Sequence, residues 1–79
     1  MFINKTSDGR LNICGGNICA LRKKVKISQR KLADELQLIG IDLTKNAIQR
    51  IESGERFVID LELKGFAKFF GVTTDDLLV

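Results

Sequence analysis

Apolar residues along this 79-residue chain recur at intervals of three and four, and nowhere alternate with polar ones for long enough to suggest a strand. One local arrangement appears three times. Ile27-Ser28…Leu32, Leu43-Thr44…Ile48 and Val72-Thr73…Leu77 each set a hydroxyl residue between two apolar ones. With the hydroxyl as N-cap, its apolar neighbours fall at N′ and N4, the spacing of a hydrophobic staple at a helix start. Thr73 also has Asp76 at N3, a short-armed capping box. Asp60 suits the cap of a further helix, and Gly54 and Gly71 stand where left-handed residues end helices.

Five short helices follow from this reading. The first spans about 17–26, with Ile18, Leu21, Arg22 and Val25 on one face. The second spans about 29–36 and buries Leu32, Ala33 and Leu36, and the third spans 45–53 and buries Ile48 and Ile51. The fourth, about 61–70, carries Leu63, Phe66, Ala67 and Phe70 at helical spacing, and the fifth runs from residue 74 to the end. Ahead of them, residues 1–14 show no sustained period. Thr6-Ser7-Asp8-Gly9 is turn chemistry, and Gly15-Gly16 closes what reads as an N-terminal arm. The expectation is an all-α domain over 15–79, a compact bundle of five helices.

Composition narrows the function by exclusion. A chain this short holds one small core, and no apolar run approaches the length of a membrane span. The first residues lack the charged-then-apolar order of a signal peptide, so a cytoplasmic location is expected. There is no histidine, which removes the usual general base and the commonest metal ligand. Cys14 and Cys19 alone do not complete a zinc site, and their spacing is not that of a redox pair. Neither an enzyme, nor a metal site, nor a cofactor is expected; a thiol sensor built on the two cysteines is a distant reading.

Charge points toward polyanions. The net is +3, but residues 1–56 hold eleven Lys and Arg against six Asp and Glu, and residues 57–79 hold two against four. A basic N-terminal two-thirds is what a nucleic-acid-facing surface needs.

Written together, Ser28-Gln29-x-x-Leu32-Ala33-x-x-Leu36 and Thr44-x-x-x-Ile48-x-Arg50-Ile51-Glu52-x-Gly54 resemble the Cro and phage-repressor (XRE) helix-turn-helix family. Leu21-Arg22 before them, and Asp60-x-Glu62-Leu63, Gly71-Val72 and Asp76-Leu77 after them, extend the likeness over about residues 15–79. The resemblance implies a lambda-repressor-like fold and a sequence-specific regulator of transcription, acting as a repressor dimer on paired half-sites of double-stranded DNA. A protein-interaction module on the same fold, antitoxin-like, is the rival. The turn from Leu36 to Ile48 is longer than the family's usual one. Its filling, Gln37-Leu38-Ile39-Gly40-Ile41-Asp42-Leu43, is apolar enough to predict an extended second helix or a packed loop.

The resemblance also assigns roles. Lys45, Asn46, Gln49 and Arg50, at the start of the recognition helix, would read base edges, and each has the donor or acceptor chemistry for it. Gln29 and Ser28, at the start of the second helix, would meet a phosphate, with Lys31, Arg30 and Arg56 adding charge. Lys23, Lys24 and Lys26 read as a solvated basic face. Arg22 interrupts an apolar stripe and Glu52 opposes a helix dipole, so the two are expected to pair, part-buried. Leu61, Gly65 and Phe69 form a thinner apolar line which, with Leu78 and Val79, suits a homodimer seam.

Overall fold

A computed structural model describes residues 3–79 and contains five helices: α1 (Cys14–Lys24), α2 (Gln29–Leu38), α3 (Lys45–Ser53), α4 (Asp60–Phe70) and α5 (Thr74–Leu77). Among the described residues there is no strand, and no helix is long and apolar enough to cross a membrane. The fold is all-α, as the pattern implies. α3 packs against both α1 and α2, and α4 closes the other side with α5. Ile18, Leu32, Leu36, Leu43, Ile48, Ile51, Phe66 and Leu77 are fully enclosed between them.

The helix starts follow local chemistry. Ser28 Oγ accepts the Lys31 N–H at 3.0 Å, Thr44 Oγ1 that of Ala47 at 3.1 Å, and Thr73 Oγ1 that of Asp76 at 3.1 Å. Asp76 returns the bond, accepting the Thr73 N–H at 3.0 Å. At each start the flanking apolar residues join the core: Ile27 with Leu32, Leu43 with Ile48, and Val72 with Leu77. α4 departs from expectation. Asp60 lies inside the helix, Ile59 takes the cap position, and the Glu62 carboxylate reaches back to the Ile59 N–H at 3.2 Å.

Four helices end in the same double bond pattern. After α2 the Gly40 N–H reaches the Gln37 carbonyl and the Ile41 N–H the Leu36 carbonyl; α3 and α4 repeat this at Gly54–Glu55 and Gly71–Val72. α1 does so too, with Lys26 in the left-handed position at φ 61°, where glycine stands in the other three. α1 therefore stops at Lys24, which leaves Val25 52% exposed rather than on the buried face expected of it.

The long α2–α3 connection is part helix and part packed loop. α2 runs two residues past Leu36, Gly40 turns the chain at φ 86°, and Ile41 and Leu43 point back into the core. A Cβ on Gly65 of α4 would overlap the Ile41 side chain, so the space that glycine opens is filled from within. It does not serve a second copy.

The start of α1 also differs. Gly15 and Gly16 lie in its first turn rather than ahead of it. A Cβ on Gly15 would run into the Ile51 carbonyl oxygen, so this glycine lets α1 approach the backbone of α3. At the far end, Asn17 of α1 donates to the Leu77 and Val79 carbonyls at 2.8 and 3.1 Å, tying down the C-terminus.

Candidate nucleic-acid interface

α3 is amphipathic and closed at both ends. Ile48 and Ile51 are enclosed, while Lys45, Asn46, Gln49 and Arg50 are exposed. Among the described residues no hydrogen bond or ion pair engages those four side chains, and together they form a polar face with donors and acceptors to spare.

The C-terminal end of α3 is held by the N-terminal segment. Leu11 N–H donates to the Gly54 carbonyl at 2.8 Å, and Arg10 Nη2 to that of Glu52 at 2.8 Å. Asn12 is buried; its Nδ2 donates to the carbonyls of Ile51 at 3.0 Å and Arg56 at 2.8 Å, and its Oδ1 accepts the Gly15 N–H at 2.8 Å. Of the carbonyls that α3 leaves free at its end, those of Ile51 and Glu52 are thereby satisfied. Arg10 and Asn12 carry no mark in the sequence as a brace. The one hint is the three-residue spacing from Asn12 to Gly15, a side-chain-to-backbone interval.

A second set of bonds joins α1, α2 and α3. Arg22 Nε donates to Glu52 Oε2 at 2.7 Å and Nη2 to Oε1 at 3.0 Å; the side chains are 12% and 6% exposed. Arg22 Nη1 also donates to the Ile27 carbonyl at 2.9 Å, and Gln29 Nε2 to Glu52 Oε1 at 3.0 Å. Burial alone would raise the Glu52 carboxyl, but the hydrogen bonds from Arg22, Gln29 and Cys19 outweigh it and hold the group below its ordinary value. The hydrogen bond to Glu52 in turn raises Arg22.

The phosphate candidates divide. Ser28 is exposed, its oxygen capping α2 while its hydroxyl proton is left to donate. Gln29 commits one amide hydrogen to Glu52 and keeps another. Lys31 pairs with Glu35 at 2.8 Å on the surface, a weak i,i+4 link. Arg56 is different. Its guanidinium grips Glu62 through bonds of 2.8 and 3.0 Å and also donates to the Phe57 carbonyl at 2.8 Å. That pairing holds Glu62 below its ordinary value against the opposing effect of burial. In this structure the Arg56 charge is therefore met by an internal partner.

The cysteines are free thiols. Cys14 is enclosed, and burial pushes its thiol up, away from reactivity. Cys19 is half-buried beside the Arg22 guanidinium.

A helix-turn-helix family model, of the XRE type, matches residues 20–77, from the middle of α1 to the end of α5. The chain belongs to this family. It is a DNA-binding helix-turn-helix regulator, and α2 and α3 are the pair that names the family. No curated protein and no solved structure matches the chain significantly. The brace formed by Arg10, Leu11 and Asn12 lies outside the matched residues.

Proposed function

We infer that this helix-turn-helix protein is a sequence-specific repressor of transcription that lays α3 in the major groove of double-stranded DNA. The exposed, unengaged face of α3 carries this reading. Arg50 or Lys45 donates to guanine O6 and N7, and Asn46 or Gln49 pairs with adenine N6 and N7. Ser28, Gln29 and Lys31, with the free N–H groups that open α2, take a phosphate oxygen and set the register of α3. Gln29 acts here as a neutral donor oriented by Glu52. Arg56 is left out of this set because Glu62 neutralises it.

The regulator acts as a dimer on paired half-sites. Leu61 and Leu78 are 67% and 43% exposed, and Leu78 lines a groove with Ile13, Val58 and Leu63. Phe69 contributes only an edge, since it is half-buried against the core and stacks edge-on with Phe70 at 5.0 Å. Leu61→Lys lowers the association seen by sedimentation without unfolding the chain; unchanged association removes the seam.

Selection of bound duplexes from a random pool tests the reading. It predicts enrichment of a defined sequence. No enrichment at low salt and high protein concentration contradicts it and favours a protein partner for the same fold.

A further inference from the structure

Between Asp8 and Asp34 the chain has no carboxylate and seven Lys or Arg residues. Arg10 and Arg22 are engaged inside the fold, on the carbonyl and the carboxylate of Glu52, and Lys31 pairs with Glu35. Lys23, Lys24, Lys26 and Arg30 remain. All four are exposed, and among the described residues no carboxylate lies within ion-pair distance of any of them. The nearest acids in the sequence are Asp34 and Glu35 on α2, the latter held by Lys31.

These cations surround the α1–α2 connection, which is rigidly held. Lys26 sits in the left-handed position, the Ile27 N–H is bonded to the Arg22 carbonyl, and Arg22 Nη1 grips the Ile27 carbonyl. The same guanidinium is locked on Glu52, one residue from the end of α3. The basic turn is therefore fixed relative to α3, beside its C-terminal end and beside Gln29, away from Lys45 and Asn46 at the other end. Like charges so near in sequence repel, and among the described residues no ion pair offsets them.

We propose that the α1–α2 turn is a second, sequence-blind DNA contact. Lys23, Lys24 and Lys26 neutralise phosphates outside the base pairs that α3 reads, continuing the backbone contact made at Gln29. A rigid cation cluster beside the phosphate-facing start of α2 matches a polyanion in charge, and each neutralised phosphate releases counterion. The inference rests on α3 being the DNA-reading helix.

The test compares the parent with the triple variant K23Q/K24Q/K26Q, and with K64Q/K68Q, which removes exposed charge from α4 instead. Each is titrated against a duplex trimmed to the selected site, and against the same site extended by one helical turn of arbitrary sequence on both sides. Affinities are referred to the folded fraction seen by circular dichroism. On the extended duplex, the slope of log K against log salt falls by about two to three units in the triple variant. It changes much less on the trimmed duplex and holds in K64Q/K68Q. An unchanged slope on the extended duplex overturns the contact while leaving α3 as the reader. An equal loss on both duplexes overturns its placement, and an equal loss in K64Q/K68Q reduces it to diffuse charge. A parent that binds neither duplex removes the DNA reading itself.

Discussion

Arg22 and Glu52, thirty residues apart in sequence, meet through two hydrogen bonds of 2.7 and 3.0 Å, almost out of reach of solvent. Each is poorly placed alone: the arginine breaks an apolar face and the carboxylate sits at the negative end of a helix. Paired, they bind α1 to α3. Through the Ile27 carbonyl and the Gln29 amide they also fix where α2 begins.

Removing one partner strands the other. Glu52→Ala leaves the Arg22 guanidinium buried without its carboxylate and is expected to cost about 3 kcal/mol. A urea midpoint shifted by less than the equivalent of about 0.5 kcal/mol contradicts this.

Acid should weaken the fold through the same group. The Glu52 and Glu62 carboxyls are both held below their ordinary 4.5 in the folded chain. A carboxyl depressed on folding contributes stability that is complete above its unfolded value and fades as pH falls through its folded one. Melting temperature should therefore hold from neutral pH to about pH 5 and fall steadily below it. The double variant E52Q/E62Q, though less stable at neutral pH, should show a flatter acid limb. Parallel limbs would place the acid sensitivity elsewhere.

Lys26 is the non-glycine member of four otherwise similar helix ends. A left-handed conformation costs a residue with a Cβ about 1 kcal/mol. Lys26→Gly should raise stability by about 0.5–1 kcal/mol, less the freedom that glycine adds to the unfolded chain. A drop in the denaturation midpoint would mean that the lysine makes compensating contacts.

Arg56 separates a structural charge from a DNA-binding one. Arg56→Ala unpairs Glu62, which is 8% exposed, and should lower stability by about 1–3 kcal/mol. Once corrected for folded fraction, its salt dependence of DNA binding should match the parent's. A slope reduced by about one unit would return Arg56 to the phosphate contacts.

What was legible in the sequence was what is local. Ser28, Thr44 and Thr73 act through backbone groups three residues on, and Gly54 and Gly71 through their own φ angles, so α3 is found from residue to residue where its pattern places it. The Arg22–Glu52 pair was readable because two misfits on neighbouring helices imply each other. The start of α1 was not readable. Gly15-Gly16 carries the composition of a turn, and only the approach of the Ile51 carbonyl explains a glycine in that helix. Arg10 and Asn12 were hidden because their acceptors are backbone carbonyls some forty residues away, which no side-chain pattern reveals. The Arg56–Glu62 pair was hidden for a related reason: the partner lies across a loop, six residues on, at no helical spacing.

The most direct test of α3 as the reading element is the binding of Arg50→Ala to the selected duplex and to a scrambled one. A base-edge contact is specific to sequence, whereas a phosphate contact is blind to it. Arg50→Ala should cost about 1–3 kcal/mol per half-site on the selected duplex and much less on the scrambled one. Gln29→Ala should weaken both alike and leave the salt slope unchanged, because a neutral donor releases no counterion. If Arg50→Ala and Gln49→Ala both lower affinity uniformly across sequences, α3 does not read the DNA, and the proposed function fails even though the fold stands.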